Sequence, residues 1–191
     1  MSELASESVS AVRGDQARDD GGRRLILLRH AKSDYPQDVA DHERPLAKRG
    51  RRDAPAVGRW LGESGHVPDA VVCSTARRAR ETWELAAAGL AAAVPGASPP
   101  VRYEPRVYEA TVIGLLMLVR EFDPAWRTAL LVGHNPGLAE LTVGLFDASA
   151  DQPPKFPTAF AAVIGLPGAW ADATPGEGRR LAFTIPAELP R

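Results

Sequence analysis

Residues 24–31 read Arg24-Leu25-Ile26-Leu27-Leu28-Arg29-His30-Ala31. Leu25 to Leu28 is a short, unbroken apolar run, the pattern of a strand buried on both faces. An Arg–His pair follows at its carboxyl end. In open α/β sheets, ligands bind just outside the carboxyl ends of the strands. A histidine there is a candidate nucleophile, and an adjacent arginine can hold an anionic group against it. Successive strand residues point to opposite faces, so Arg29 and His30 reach one pocket only if the chain leaves strand geometry here. Ala31 is small and permits a tight approach.

Two more segments have the same form. Ala70 to Cys73 is apolar and leads into Ser74-Thr75-Ala76-Arg77-Arg78-Ala79-Arg80-Glu81-Thr82. A strand end followed by a helix N-terminus exposes N–H groups to an anion. An arginine in that first turn opposes the helix dipole, a cost that a bound phosphate would offset. Thr128 to Val132 leads into Gly133-His134-Asn135-Pro136. Three strand ends bearing Arg29, His30, an arginine and His134 point to phosphoryl chemistry on histidine. Nearby arginines disfavour imidazolium and keep such a histidine neutral.

Around these segments the chain alternates strand and helix. Lys32 to Arg44 is a polar loop with no helical period. Leu46, Gly50, Ala54, Val57 and Leu61 recur at helical spacing, and Pro55 predicts a kink or a helix restart at Asp53. Thr75 to Leu90 is helical, and Ala93 to Pro100, with three prolines and a glycine, is a loop. Val101 to Tyr103 is a short strand, Val112 to Glu121 an amphipathic helix, and Pro136 to Phe146 a helix with proline in its first turn. Asp147 to Pro157 is a loop. Ala159 to Gly165 and Arg180 to Ile185 have no helix between them and predict an antiparallel hairpin at the sheet edge. The alternation predicts an α/β fold, a mostly parallel sheet with both faces covered and an antiparallel edge strand. Residues 1–22 lack large apolar side chains in number and read as a disordered tail, with one folded domain over 23–191.

Composition narrows the classes. The chain has 191 residues, is 45% hydrophobic and 25% charged, and carries a net charge of −1. That is a globular composition with no general electrostatic case for nucleic acid. No apolar run reaches the ~20 residues of a membrane helix, so no membrane association is expected. No basic stretch precedes an apolar one at the start, so no signal peptide is read. Cys73 is the sole cysteine, which excludes an intrachain disulfide and a cysteine-rich zinc site and fits the cytoplasm.

Each candidate has a bland counterpart. His30 alone reads equally as a hydrogen-bonded structural residue, and His134 as a turn residue capping a helix. Cys73 suggests a cysteine phosphatase, in which five residues separate the nucleophile from an arginine. Here four residues separate Cys73 from Arg78 and six separate it from Arg80, so Cys73 reads as a buried strand residue. The remaining histidines, His42 and His66, lie in unrelated segments, and no ligand spacing supports a metal. Glu109 follows the third strand. It is either an acid that protonates a leaving group or an acid beside a helix N-terminus.

Taken together these residues resemble the histidine phosphatase superfamily, also called the phosphoglycerate-mutase-like family, from Arg24 onward. Arg29-His30 is similar to the family's Arg-His-Gly signature, with Ala31 in the glycine place. Arg78 matches its second arginine and His134 its second histidine. Leu28-Arg29-His30-Ala31-Lys32-Ser33, with Arg44-Pro45-Leu46 leading to Gly50, resembles the small phosphohistidine phosphatase branch. The resemblance implies a three-layer α/β/α sandwich, a phosphohistidine intermediate on His30, and Arg29, Arg78 and His134 holding the phosphoryl oxygens, with no metal and no cofactor. Larger members carry an asparagine six residues after the nucleophile. That position is Pro36 here, and Arg44 or Ser33 is the candidate replacement as substrate ligand. The expected substrate is a phosphohistidine protein. A small phosphate ester on the same site is the alternative, in which case Glu109 gains importance as the acid. A phosphate- or phosphopeptide-binding module without turnover, and a metal hydrolase, are the rivals from other classes.

Overall fold

The computed structural model of the chain describes residues 22–146, 156–184 and 189. The tail read over residues 1–22 lies outside them except for Gly22, as do Ile185 and most of the loop from Asp147 to Pro157.

Strands β1 (Arg23–Arg29), β2 (Ala70–Ser74), β3 (Val101–Glu104), β4 (Thr128–Gly133), β5 (Ala161–Leu166) and β6 (Arg179–Thr184) form one sheet in the order β3-β2-β4-β1-β5-β6. The β3-β2-β4-β1 pairings are parallel. The expected hairpin does occupy one edge, and β5 pairs antiparallel with both β1 and β6. The reversed strand is therefore β5, one place in from that edge, while β6 again runs with the parallel strands.

Alternation along β1 assigns the two faces. Leu25 and Leu27 pack with α3 (Val112–Arg120) and α4 (Gly137–Leu145) through Leu115, Leu118, Leu138 and Leu141. Ile26 and Leu28 pack on the other face with α1 (Lys48–Glu63) and α2 (Arg77–Ala93) through Val57, Leu61, Trp83 and Leu90. A strand buried on both faces needs apolar side chains at every position. Leu25 to Leu28 meets that demand, each fully buried. The expected α/β/α sandwich is thus present, with helices on both sides of a mixed sheet.

Helix α1 runs unbroken through Pro55, and the restart expected at Asp53 is not observed. Proline deprives the Arg51 carbonyl of its helical donor. Arg51 is on the exposed side of the helix, where water can serve that carbonyl. The buried side of α1 meets α2 backbone to backbone. A Cβ on Gly58 would collide with the Ala86 carbonyl, and one on Gly89 with the Pro55 carbonyl.

The polar segment after β1 is a loop with one 3-10 turn at Asp41–Glu43. Its ends are tied together: Asp34 N–H donates to the Pro45 carbonyl at 2.9 Å and Ala47 N–H to the Lys32 carbonyl at 2.9 Å. A Cβ on Gly50 would strike that same Lys32 carbonyl, so the first turn of α1 lies directly against the chain after His30.

The close helix contact sets a stability test. Gly58→Ala and Gly89→Ala are each expected to destabilise the fold by about 2 kcal/mol or more, because the added methyl meets a main-chain carbonyl rather than a yielding side chain. Gly144→Ala in α4, where nothing lies within 4 Å of the added Cβ, should be neutral or slightly stabilising. Thermal melts of the three variants check the contrast.

Candidate active site

Parallel pairing brings the predicted residues to one edge of the sheet. Arg29 is level with Gly133 across β1 and β4, and Cys73 with Val132 across β2 and β4. The next residues along these strands, His30, His134 and Ser74, therefore emerge side by side at the carboxyl ends. The His30 and His134 ring centroids are 5.0 Å apart.

His30 lies just past β1. Its N–H donates to the Gly133 carbonyl at 3.0 Å, so the main chain still follows the sheet. Ala159 turns back over this point in a left-handed conformation, φ 61°, and its N–H lies 3.1 Å from both the Arg29 and the His30 carbonyl. The ring Nδ1 is 2.8 Å from the Ala31 carbonyl. A carbonyl only accepts, so Nδ1 carries the proton and the lone pair of the neutral ring is on Nε2. Ala31 is anchored in turn: its N–H donates to Thr82 Oγ1 at 2.9 Å, and Thr82 Oγ1 donates to the Arg78 carbonyl at 2.6 Å. Thr82 thus ties the turn at His30 to the first turn of α2.

Burial and the neighbouring arginines act in one direction on both rings, and on His134 the Asp41 carboxylate opposes them without prevailing. His30, 9% exposed, has its pKa pushed down to about 4, first by loss of water and then by Arg78, Arg29 and Arg44. His134 is pushed down to about 3 by burial, by His30 and by Arg78. His134 Nε2 is 2.8 Å from Ser74 Oγ, while its Nδ1 is buried with no partner among the described residues.

The arginines approach from three segments. Arg29 donates from Nη1 to the Phe156 carbonyl at 2.7 Å, a carbonyl that also receives Asn135 Nδ2 at 3.1 Å, and the Arg29 Nε is buried without a partner among the described residues. Arg78, the second residue of α2, is 6% exposed and donates to the carbonyl and the carboxylate of Asp41. Arg44, 8% exposed, donates to Ser33 Oγ at 2.6 Å, to Asp41 Oδ1 at 2.7 Å and to the Asp34 carbonyl at 2.9 Å. Its guanidinium lies 3.2 Å from the ring centroid of Tyr35. Ser33 and Arg44, expected as substrate ligands, are therefore bonded to each other.

Some residues take places the sequence did not indicate. His42 is not in an unrelated segment: its Nε2 is 2.9 Å from Thr75 Oγ1, and its ring is 5.0 Å from that of Tyr108. Tyr108 also contacts the His134 ring edge-on at 5.6 Å and donates its hydroxyl to Asp41 Oδ2 at 2.9 Å. Asp41, His42 and Tyr108 carry no periodic signal, and a turn and a loop bring them here. The one legible trace is the spacing of Asp41 and Arg44, which pair across a single turn. His66 packs on Trp60 after α1, away from this cluster. Glu109 is exposed, in a left-handed conformation with φ 54°, and makes no hydrogen bond or ion pair among the described residues. It borders Tyr108 and is bonded to neither His30 nor His134.

Cys73 is fully buried in the sheet, and burial pushes its thiol pKa up. A buried, protonated thiol is a poor nucleophile. Among the described residues no three His, Cys, Asp or Glu side chains group as metal ligands. Among the same residues no helix is long and apolar enough to cross a membrane.

Comparison with known proteins finds relatives in one family. A sequence profile of the histidine phosphatase superfamily (branch 1) matches residues 25–111. An uncharacterized protein of Mycobacterium tuberculosis is 39% identical over 166 residues, covering 83% of this chain and 99% of that protein. A solved structure from Nakamurella multipartitia, named for the phosphohistidine phosphatase SixA, superposes with a TM-score of 0.73 at 33% identity, covering 87% of this chain and 97% of that one. A second of that name, from Agrobacterium tumefaciens, superposes at 0.71 with 25% identity over 85% and 97% of the two chains.

The histidine environment can be read directly. Ring resonances of His30 and His134 in a nuclear magnetic resonance titration should stay those of neutral imidazole at pH 6, with His30 titrating near about 4. An unfolded histidine binds its proton near about 6.5. The folded pKa lies below that value, so the unfolded state takes up protons first, and stability falls as the pH drops from the unfolded toward the folded value. The His30→Asn variant should lose less stability than the wild type between pH 7 and pH 5 in urea melts.

Proposed function

Because the chain belongs to the histidine phosphatase superfamily, we propose that it is a metal-independent phosphatase that works through a phosphohistidine on His30, with a phosphohistidine protein as substrate. The observation that carries the proposal is the state of His30. Its ring is neutral, its proton is held on Nδ1 by the Ala31 carbonyl, and its Nε2 lone pair is free at a sheet edge flanked by arginines.

In the first step His30 Nε2 forms a bond to phosphorus while the bond to the leaving group breaks and its electron pair departs with that group. The transferring phosphoryl group carries its charge on three oxygens, so catalysis is chiefly positioning and charge stabilisation. Arg29 and Arg78 supply cations. His134, its Nε2 2.8 Å from Ser74 Oγ, places a second neutral ring beside the reacting nitrogen. In the second step water adds to phosphorus, the P–Nε2 bond breaks, and inorganic phosphate leaves with the surplus proton released to solvent.

The leaving group favours one substrate class. Expulsion of an alkoxide calls for a proton donor in the transition state. Glu109 makes no hydrogen bond or ion pair with either histidine, and the cations around Asp41 hold its carboxyl well below the usual carboxylate range. The imidazole of a phosphohistidine leaves readily and makes the smaller demand. Phosphohistidine is accordingly preferred over a small phosphomonoester. We assign its work to the cytoplasm, in keeping with a single, buried, unpaired cysteine.

Turnover of a histidine-phosphorylated protein beside an aryl phosphate, both in chelator, tests the proposal. His30→Ala should lower kcat/KM by about 10³-fold or more on either substrate, and chelator should leave the wild-type rate unchanged. Glu109→Gln should change turnover of the phosphohistidine protein by less than about threefold, since no step is assigned to that carboxylate. A His30→Ala enzyme with the wild-type rate would remove the mechanism. A much faster aryl ester that slows strongly in Glu109→Gln would move the substrate to small esters.

A further inference from the structure

Asp41 stands in an unexpected place. A carboxylate beside arginines assigned to a phosphoryl group repels that group, so its presence must be offset by something it does for them. Its contacts indicate what. Oδ2 accepts from Arg78 Nη2 at 2.9 Å and from the Tyr108 hydroxyl at 2.9 Å, and Oδ1 accepts from Arg44 Nη1 at 2.7 Å. The Asp41 main-chain carbonyl accepts from Arg78 Nη1 and, at 3.3 Å, from Arg44 N–H. Both terminal nitrogens of Arg78 are thus held by one residue. The Nε of Arg78 makes no hydrogen bond among the described residues and is not sealed from solvent.

An arginine side chain has many rotamers, and freezing them in advance raises the effect of each hydrogen bond it later makes. The α2 dipole adds nothing toward holding Arg78, since a cation in the first helical turn is disfavoured. Asp41 is itself firmly placed, between Arg44, which is buried and stacked on Tyr35, and Tyr108, which lies against His134. Its carboxyl stays ionised across the neutral range, chiefly through Arg44, then Tyr108 and Arg78. It is therefore not a proton donor.

Resting on the phosphatase reading above, we propose that Asp41 is a positioning residue for phosphoryl transfer, gripping Arg78 by its two terminal nitrogens so that the Nε edge is presented to the phosphoryl group at His30. Arg44 then acts through Asp41 as well as by its own charge. This also accounts for a buried arginine pointing into a loop: the Asp41–Glu43 turn is a brace laid across the start of α2.

The test is a double-mutant cycle on Asp41→Asn and Arg78→Ala, read by kcat/KM on the histidine-phosphorylated protein and by calorimetric binding of inorganic phosphate. Asparagine keeps the size of Asp41 but sets an N–H₂ against donors. Asp41→Asn should lower kcat/KM by about 10- to 100-fold and weaken phosphate binding in parallel. Its melting temperature should move by about 2 °C at most, because the side chain is 53% exposed. In the Arg78→Ala background the same change should cost less than about twofold, since the residue acts through Arg78. Asp41→Glu, which restores the charge, should recover part of the loss. An equal cost in both backgrounds, or tighter phosphate binding by Asp41→Asn, overturns the proposal. If His30→Ala keeps its rate, the phosphatase mechanism fails, yet the phosphate titrations on the four proteins still report whether Asp41 and Arg78 are coupled. Absence of both turnover and phosphate binding in the wild type overturns both.

Discussion

The register between β1 and β4 is the constraint on which the rest depends. With Arg29 level with Gly133, the two histidines that follow are neighbours. A slip of one residue would send every side chain of β1 to the opposite face and separate the rings. Burial on both faces prevents it. Leu25 and Leu27 belong to one core, Ile26 and Leu28 to the other, and all four are fully buried. Two hydrophobic layers therefore hold the paired histidines from below.

Above that floor the site is a balance of charge and desolvation. Arginines surround two imidazoles, His30 buried and His134 partly so, and burial with the arginine charge keeps the rings neutral. Burial is the larger contribution on each. A neutral ring leaves the fixing of its proton to hydrogen bonding, and at His30 the Ala31 carbonyl does this. The Thr82 hydroxyl then connects that turn to the Arg78 carbonyl. His30 and Arg78, more than forty residues apart in sequence, are thereby joined through one side chain. The loop from Lys32 to Arg44 supplies the remaining order, since its Asp41 and Ser33 hold the arginines while its ends are closed by main-chain bonds.

How far the sequence alone reached differs by element. The strands at Leu25, Ala70 and Thr128 were legible because full burial demands unbroken apolar runs, and the residues behind each run marked the site. The course of α1 through Pro55 was not, because local chemistry predicts an interruption at proline, whereas here the carbonyl it deprives is on the exposed side of the helix. The orientation of β5 was half legible: the hairpin was expected, but strand order decided that the inner member is the reversed one. Glu109 was a reasonable candidate by position, and a left-handed backbone after Tyr108 leaves it exposed.

By itself, then, the sequence determined the layered α/β fold and brought Arg29, His30, Arg78 and His134 to notice, because hydrophobic period and strand-end position are properties of neighbours along the chain. Only the tertiary structure decided that Asp41 bonds to Arg78, that Tyr108 lies between His42 and His134, and that Ser33 is committed to Arg44. Those are contacts between loops distant in sequence. Loops carry no period from which a contact can be read, and their partners are chosen by where the sheet and helices deliver them.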